Sequence, residues 1–185
     1  MQTNIIWNGR EYNSIENCVV TQTQNGTKVD SVIIGVYLSI PYCIAYRLKV
    51  NAHWETTLVE LKTQLFSKRR TLRYESDGSG HWIGKGKTTN MLIGCKDVDI
   101  SLTPFTNTLS VKRLQLQISE SQEIAVLYFD LLGQNVKTVR QKYSRISLDE
   151  YKFENVPNDF EAIIKLDKDG FVVDYPGLFE MTHKV

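Results

Sequence analysis

Cysteine is scarce and badly placed for chemistry. Cys18, Cys43 and Cys95 are odd in number, far apart and without a C-x-x-C pair, which argues against a disulfide framework and a zinc cage. The three histidines, His53, His81 and His183, are isolated from one another, so a metal site or a serine–histidine pair has no ligand spacing to build on. A dominant charge is also missing, since 22 Lys and Arg face 21 Asp and Glu. The net charge of +1 gives no whole-chain attraction to nucleic acid or to an anionic membrane. No long apolar run exists either: the longest stretch, Val32 to Ile40, contains Gly35 and Ser39 and is too short to span a bilayer. The first residues lack a basic segment followed by an apolar one, so the expectation is a cytoplasmic protein without a secretory leader.

Phosphate, nucleophile and cation motifs fail on inspection. The run from Gly78 to Thr88 ends in Gly-Lys-Thr, but His81 stands where a phosphate loop needs its first glycine, and Ser79 lacks the spacing of a nucleophile elbow. Asp167-Lys168-Asp169-Gly170 starts like a calcium loop and then misses the closing carboxylate, so it reads as a hairpin turn. The basic run Lys68-Arg69-Arg70, followed by Arg73, spreads over both faces of a strand and reads as a solvated edge that discourages aggregation. No cofactor is implied.

What the chain does have is strand character. Asn8-Gly9, Asn25-Gly26, Asp77-Gly78 and Asp169-Gly170 are dipeptides suited to tight hairpins. Between them lie β-branched and aromatic runs: Val29 to Ile40, Cys43 to Val50, Leu58 to Phe66, Arg70 to Tyr74, Leu114 to Ile118, Ile124 to Phe129, Val136 to Ile146 and Phe160 to Leu166. Two short helices are expected. One, capped by Thr106 or Asn107, carries Leu109, Val111 and Leu114; the other opens at the capping-box pattern Ser147-Leu148-Asp149-Glu150 and runs to Phe153. No linker or repeat divides the chain, so residues 1–185 read as one mainly β domain.

The most informative stretch is Cys95 to Leu109. Asp97, Asp99, Ser101 and Thr103 alternate with Val98, Ile100 and Leu102 before the chain enters a corner rich in hydroxyls. The polar row serves either a ligand or the corner itself, with Asp97 and Asp99 pairing with Lys112 or Arg113.

These residues carry a family resemblance. Cys95, Asp97-Val98-Asp99, Thr103-Pro104-Phe105-Thr106-Asn107-Thr108-Leu109 and Arg113-Leu114 resemble the family described as "putative glycolipid-binding", a former domain of unknown function. Pro41-Tyr42, Tyr46-Arg47, Trp54, Gly80, Trp82 and Tyr175-Pro176-Gly177-Leu178-Phe179 extend the resemblance over nearly the whole chain. The chain departs from the family pattern at Ser110, where proline is usual, and at Lys112, where arginine is common. The resemblance implies a spiral β-roll: one long, strongly curved, mostly antiparallel sheet of about fifteen strands around a single helix, found as a homodimer. It also implies a non-catalytic protein that binds a glycolipid or other lipid. Asp97, Asp99, Thr103, Thr106, Asn107 and Arg113 are then the expected head-group contacts, with Trp54, Trp82 and Tyr143 as aromatic platforms for sugar rings. The alternatives are a hydrolase using the Asp97/Asp99 pair and a structural module whose main property is dimerisation.

Overall fold

The computed structural model describes residues 1–84, 87–88 and 94–185. Lys85 and Gly86, inside the glycine-rich run, lie outside the described residues. Eight strands come first: β1 (Gln2–Gly9), β2 (Ser14–Thr23), β3 (Gly26–Tyr37), β4 (Ile40–Val50), β5 (Thr56–Leu65), β6 (Lys68–Ser76), β7 (Trp82–Gly84) and β8 (Lys87–Thr88). Then follow β9 (Asp97–Ile100), the helix α1 (Phe105–Leu114), β10 (Ser121–Asp130), β11 (Asn135–Arg145), β12 (Glu150–Val156), β13 (Glu161–Leu166), β14 (Val172–Tyr175) and β15 (Phe179–Lys184). All fifteen strands among the described residues belong to one sheet, ordered β8 to β1, then β15 down to β9. Every neighbouring pair is antiparallel except β9 with β10. The chain is mainly β, as the strand-rich pattern predicts, and α1 is the one α-helix among the described residues.

Two-residue alternation shapes the sheet. In β4, Tyr42, Ile44, Tyr46, Leu48 and Val50 turn inward while their neighbours face out, so each strand gives one row to the core. The interior holds two apolar clusters. The larger joins β1 to β5 with β9, Phe105, Leu109, Leu127 and Phe129; the smaller joins Val111, Ile124, Val126, Tyr143 and the aromatic residues of β12, β14 and β15. Val126 and Leu127 are adjacent in β10 yet belong to different clusters, so β10 is covered on both faces. The edge of the sheet is rolled into the protein. Trp7 ties the two halves by donating its indole N–H to the Val172 carbonyl at 2.7 Å.

Several local expectations are corrected. β1 continues through Asn8-Gly9, with Gly9 opposite Ser14, so residues 10–13 make the turn and Asn13 adopts φ 42°. Thr23 pairs with Gly26, leaving Gln24-Asn25 as the hairpin loop, and a Cβ on Gly26 would lie 2.1 Å from the Val50 carbonyl oxygen. Leu114 to Ile118 is no strand. α1 ends at Leu114, Gln115 caps it with φ 49°, and Ile118 is exposed; the alternation is incidental to a chain leaving a helix. Ser147 to Phe153 is no helix either. Ser147 Oγ donates to Asp149 in a local turn, and β12 begins at Glu150, because Tyr151 and Phe153 bury side chains at period two.

Candidate functional site

β9 enters the corner with Val98, Ile100 and Leu102 in the larger cluster, and its polar row also faces inward. The reason is α1, which follows at once and lies inside the roll with every residue from Phe105 to Val111 buried. Pro104 occupies its N-cap without a side-chain cap bond, while Thr103 Oγ1 accepts the Phe105 N–H at 3.1 Å. Thr106 and Asn107, expected as caps, sit in the first turn and use their side chains across the interior. Lys112 and Arg113 in the last turn suit the negative end of the helix dipole.

The two carboxylates of β9 have different tasks. Asp97 is fully buried and takes a bidentate contact from Arg113, with Nε 2.9 Å from both oxygens and Nη2 2.6 Å from Oδ2. It clamps β9 to the end of α1. Asp99 makes no ion pair among the described residues. Its Oδ1 accepts from Thr106 Oγ1 at 3.0 Å and its Oδ2 from Gln141 Nε2 at 2.6 Å. Burial pushes the Asp99 carboxyl pKa up, against the bonds from Gln141 and Thr106. The pair that the alternative hydrolase reading would use together is therefore split.

Asp99 opens on a cleft of about 520 Å³. Asp99, Ser101, Thr103, Asn107, Tyr128 and Gln141 form its polar side, and Tyr12, Phe153, Phe160, Tyr175 and Phe179 form an aromatic one. The rings are in contact as a chain, Tyr12 with Phe179, Phe179 with Tyr175, and Tyr175 with both Phe153 and Phe160. Gln141 is 2% exposed, and its Oε1, itself buried, has no hydrogen-bond partner among the described residues. A buried acceptor left open beside a cleft costs stability unless a donor arrives. Planar amide and carboxyl groups opposite aromatic faces suit a sugar, whose hydroxyls bond the former and whose C–H faces stack on the latter.

Behind the corner lies a second polar cluster. Glu16, on β2, is 2% exposed; its Oε1 accepts from Ser31 Oγ at 2.7 Å and Tyr46 Oη at 2.6 Å, and its Oε2 has no partner among the described residues. Burial raises its pKa to about 7, against the bonds from Tyr46 and Ser31. The Tyr46 hydroxyl lies 3.2 Å from Thr103 Oγ1, which lines the cleft.

Of the residues singled out in sequence, Asp99, Thr103 and Asn107 line the cleft, and Thr106 supports it through Asp99. Asp97 and Arg113 pair away from it. The three aromatic candidates do not line it. Trp82 is fully buried and donates Nε1–H to the Cys95 carbonyl at 2.7 Å, Tyr143 is buried with its hydroxyl taking the Asn107 amide N–H at 3.0 Å, and Trp54 packs under Lys112. Gln141 and the aromatic side were missed, although Tyr175 and Phe179 stand in a segment that carries the family resemblance. Ser79 and Asp77 both contact the same nitrogen of His81, Nδ1, at 2.7 and 2.9 Å in an exposed turn, which is no catalytic triad. Among the described residues no group of three His, Cys, Asp or Glu could hold a metal ion, and no helix is long and apolar enough to cross a membrane.

The family model described as "putative glycolipid-binding" matches residues 4–181. A crystal structure of a DUF1089 family protein from Pseudomonas aeruginosa is 30% identical, covers 89% of this chain and 91% of its own, and superposes with a TM-score of 0.81. A β-barrel-like protein of the domain of unknown function DUF1849 from Brucella abortus is 7% identical over 99% of this chain and 95% of its own, with a TM-score of 0.52, a likeness of fold alone. No curated protein matches the sequence.

Proposed function

The chain belongs to the family described as "putative glycolipid-binding", and from that premise we propose that its cleft holds the sugar head group of an amphipathic ligand without transforming it. The observation that carries this reading is the open Oε1 of Gln141 beside Asp99, opposite a continuous aromatic surface. A volume of about 520 Å³ is in the range of small-molecule sites and suits a head group, leaving acyl chains toward the open end. Catalysis has little support, because Asp97 is engaged by Arg113 and cannot act with Asp99 as a carboxylate pair, and the other carboxylates of the cleft, Glu11 and Asp159, stand in its turns rather than on β9.

Asp99→Asn tests the reading. Asparagine still accepts from Thr106 through Oδ1, and its amide N–H can donate to Gln141 Oε1 once the Gln141 amide turns over, so the thermal midpoint should stay close to wild type, while a sugar-bearing lipid retained by the wild-type protein should be lost from the variant. Native mass spectrometry beside mass spectrometry of an organic extract reads both. A wild-type protein that stays empty after incubation with glycolipid extract, or a variant that retains the lipid equally, would sink the proposal.

We also place the protein in a reducing, cytoplasmic setting, a reading supported by three free cysteines. Homodimerisation fits the outer face of β2 to β4, where half-exposed Ile15 pairs with Ile34 and Val32 with Ala45. Ile34→Lys should then give a monomer in sedimentation velocity, and a monomeric wild type would remove this assignment.

A further inference from the structure

Because successive strands alternate in direction, the turns at residues 10–13, 38–39, 66–67, 131–134, 157–160 and 176–178 gather at one end of the roll. The cleft opens there, and so does a second groove of about 700 Å³. Its lining is mainly apolar, from Tyr37, Leu38, Ile40, Leu65, Phe66 and Leu132. Two of these side chains project from hairpin tips: Leu38 is 78% exposed and Phe66 61% exposed. Both hold left-handed backbone, at φ 47° and 53°, where glycine or asparagine is the easy choice and a bulky apolar residue is strained. Sequence and strain together keep large apolar side chains in water at the tips.

Charge at the same place identifies what would cover them. Lys68, Arg69 and Arg70 follow Phe66 after a single residue, Ser67, and none makes an ion pair with a carboxylate among the described residues. Arg69 donates to the Gln64 side chain, and Arg70 to the Gln134 carbonyl of the neighbouring turn. Asp130, which lines a small pocket together with Arg70, is turned to the Gly133 N–H. Glu11 and Asp159 line the cleft instead. Exposed apolar tips bordered by unpaired cations match the boundary of an anionic bilayer, acyl chains below and phosphates above.

We propose that this end of the roll docks on an anionic lipid surface, with Leu38 and Phe66 entering the acyl boundary and Lys68, Arg69 and Arg70 meeting the phosphates. The Tyr12 and Tyr37 rings, 5.7 Å apart, join the aromatic side of the cleft to the groove, so docking brings the cleft mouth to the membrane. The inference stands independently of what the cleft holds.

The test is flotation of the full chain with vesicles of phosphatidylcholine alone and of phosphatidylcholine with phosphatidylglycerol, neither containing sugar. Wild type should float with the mixed vesicles only, and less as salt rises. Leu38→Asn and Phe66→Asn should each weaken binding about tenfold or more. Asparagine accepts left-handed backbone, so their thermal midpoints should hold or rise and unfolding cannot account for the loss. Lys68→Gln and Arg69→Gln should each cost about fivefold, whereas Asp99→Asn should float like wild type. Failure to float with anionic vesicles, or undiminished flotation of the asparagine variants, overturns the proposal. Self-association abolished by those variants, without vesicle binding, would overturn it in favour of a second copy of the chain.

Discussion

Arg113→Met should destabilise the protein by about 3–5 kcal/mol, the cost of stranding a buried carboxylate. Asp97 is 1% exposed at its side chain and Arg113 16%. Removing the guanidinium leaves Asp97 no route to water, whereas removing the carboxylate leaves a guanidinium that still touches solvent. Asp97→Asn should therefore cost less than Arg113→Met, and the double variant should recover part of the loss of Arg113→Met. Urea unfolding of the three variants measures the order. Equal stability of wild type and Arg113→Met would show that the clamp between β9 and α1 contributes nothing.

Glu16 should make stability fall as pH rises. Its carboxyl has an ordinary pKa of 4.5 and reaches about 7 in the folded protein. Between those values the folded state holds a proton that the unfolded state has released. The stabilisation is complete below pH 4.5 and is lost as pH rises toward and through about 7. The shift corresponds to a loss on the order of 3 kcal/mol. Burial also pushes the neighbouring Tyr46 hydroxyl and Cys18 thiol up, so both stay neutral through this window. Glu16→Gln carries no ionisable group and should be flatter across the window, overtaking wild type at the alkaline side. Urea midpoints of the two proteins from pH 4.5 upward decide it; parallel curves would mean that Glu16 ionises normally.

The strands were legible where one face is buried and the other wet. Tyr42, Ile44, Tyr46, Leu48 and Val50 announce β4 because water and core impose opposite preferences at each step. At β9 the alternation leaves two uses open for the polar row, a ligand or the corner itself. Asp97 takes the second, through the expected pairing with Arg113, while Asp99 is met inside the roll by Thr106 and Gln141 rather than by a cation of α1. Gln141 lies 42 residues beyond Asp99 and stands in β11, where its neighbours Arg140 and Lys142 suggest open solvent. Nothing local marks it. Aromatic residues carry a related ambiguity, since Trp82 fills the core while Tyr175 and Phe179 border the cleft. Only the closure of the sheet sorts them. The segment Ser147 to Phe153 shows a weaker signal outvoted: the serine and glutamate allow a helix cap, and burial of Tyr151 and Phe153 overrides it.

The seam between β1 and β15 has a consequence for biosynthesis. The first and last strands lie side by side in the middle of the sheet, and Asn4 and Val185 exchange backbone hydrogen bonds of 2.8 and 3.0 Å. A ribosome releases β1 to β8 as a run of neighbouring hairpins long before residues 179–184 exist. Through that interval β1 is a bare strand edge, open to pairing with another nascent chain. Joining the two halves waits until β15 has left the ribosome, and protecting that edge until then falls to the speed of translation and to whatever holdase meets the chain first.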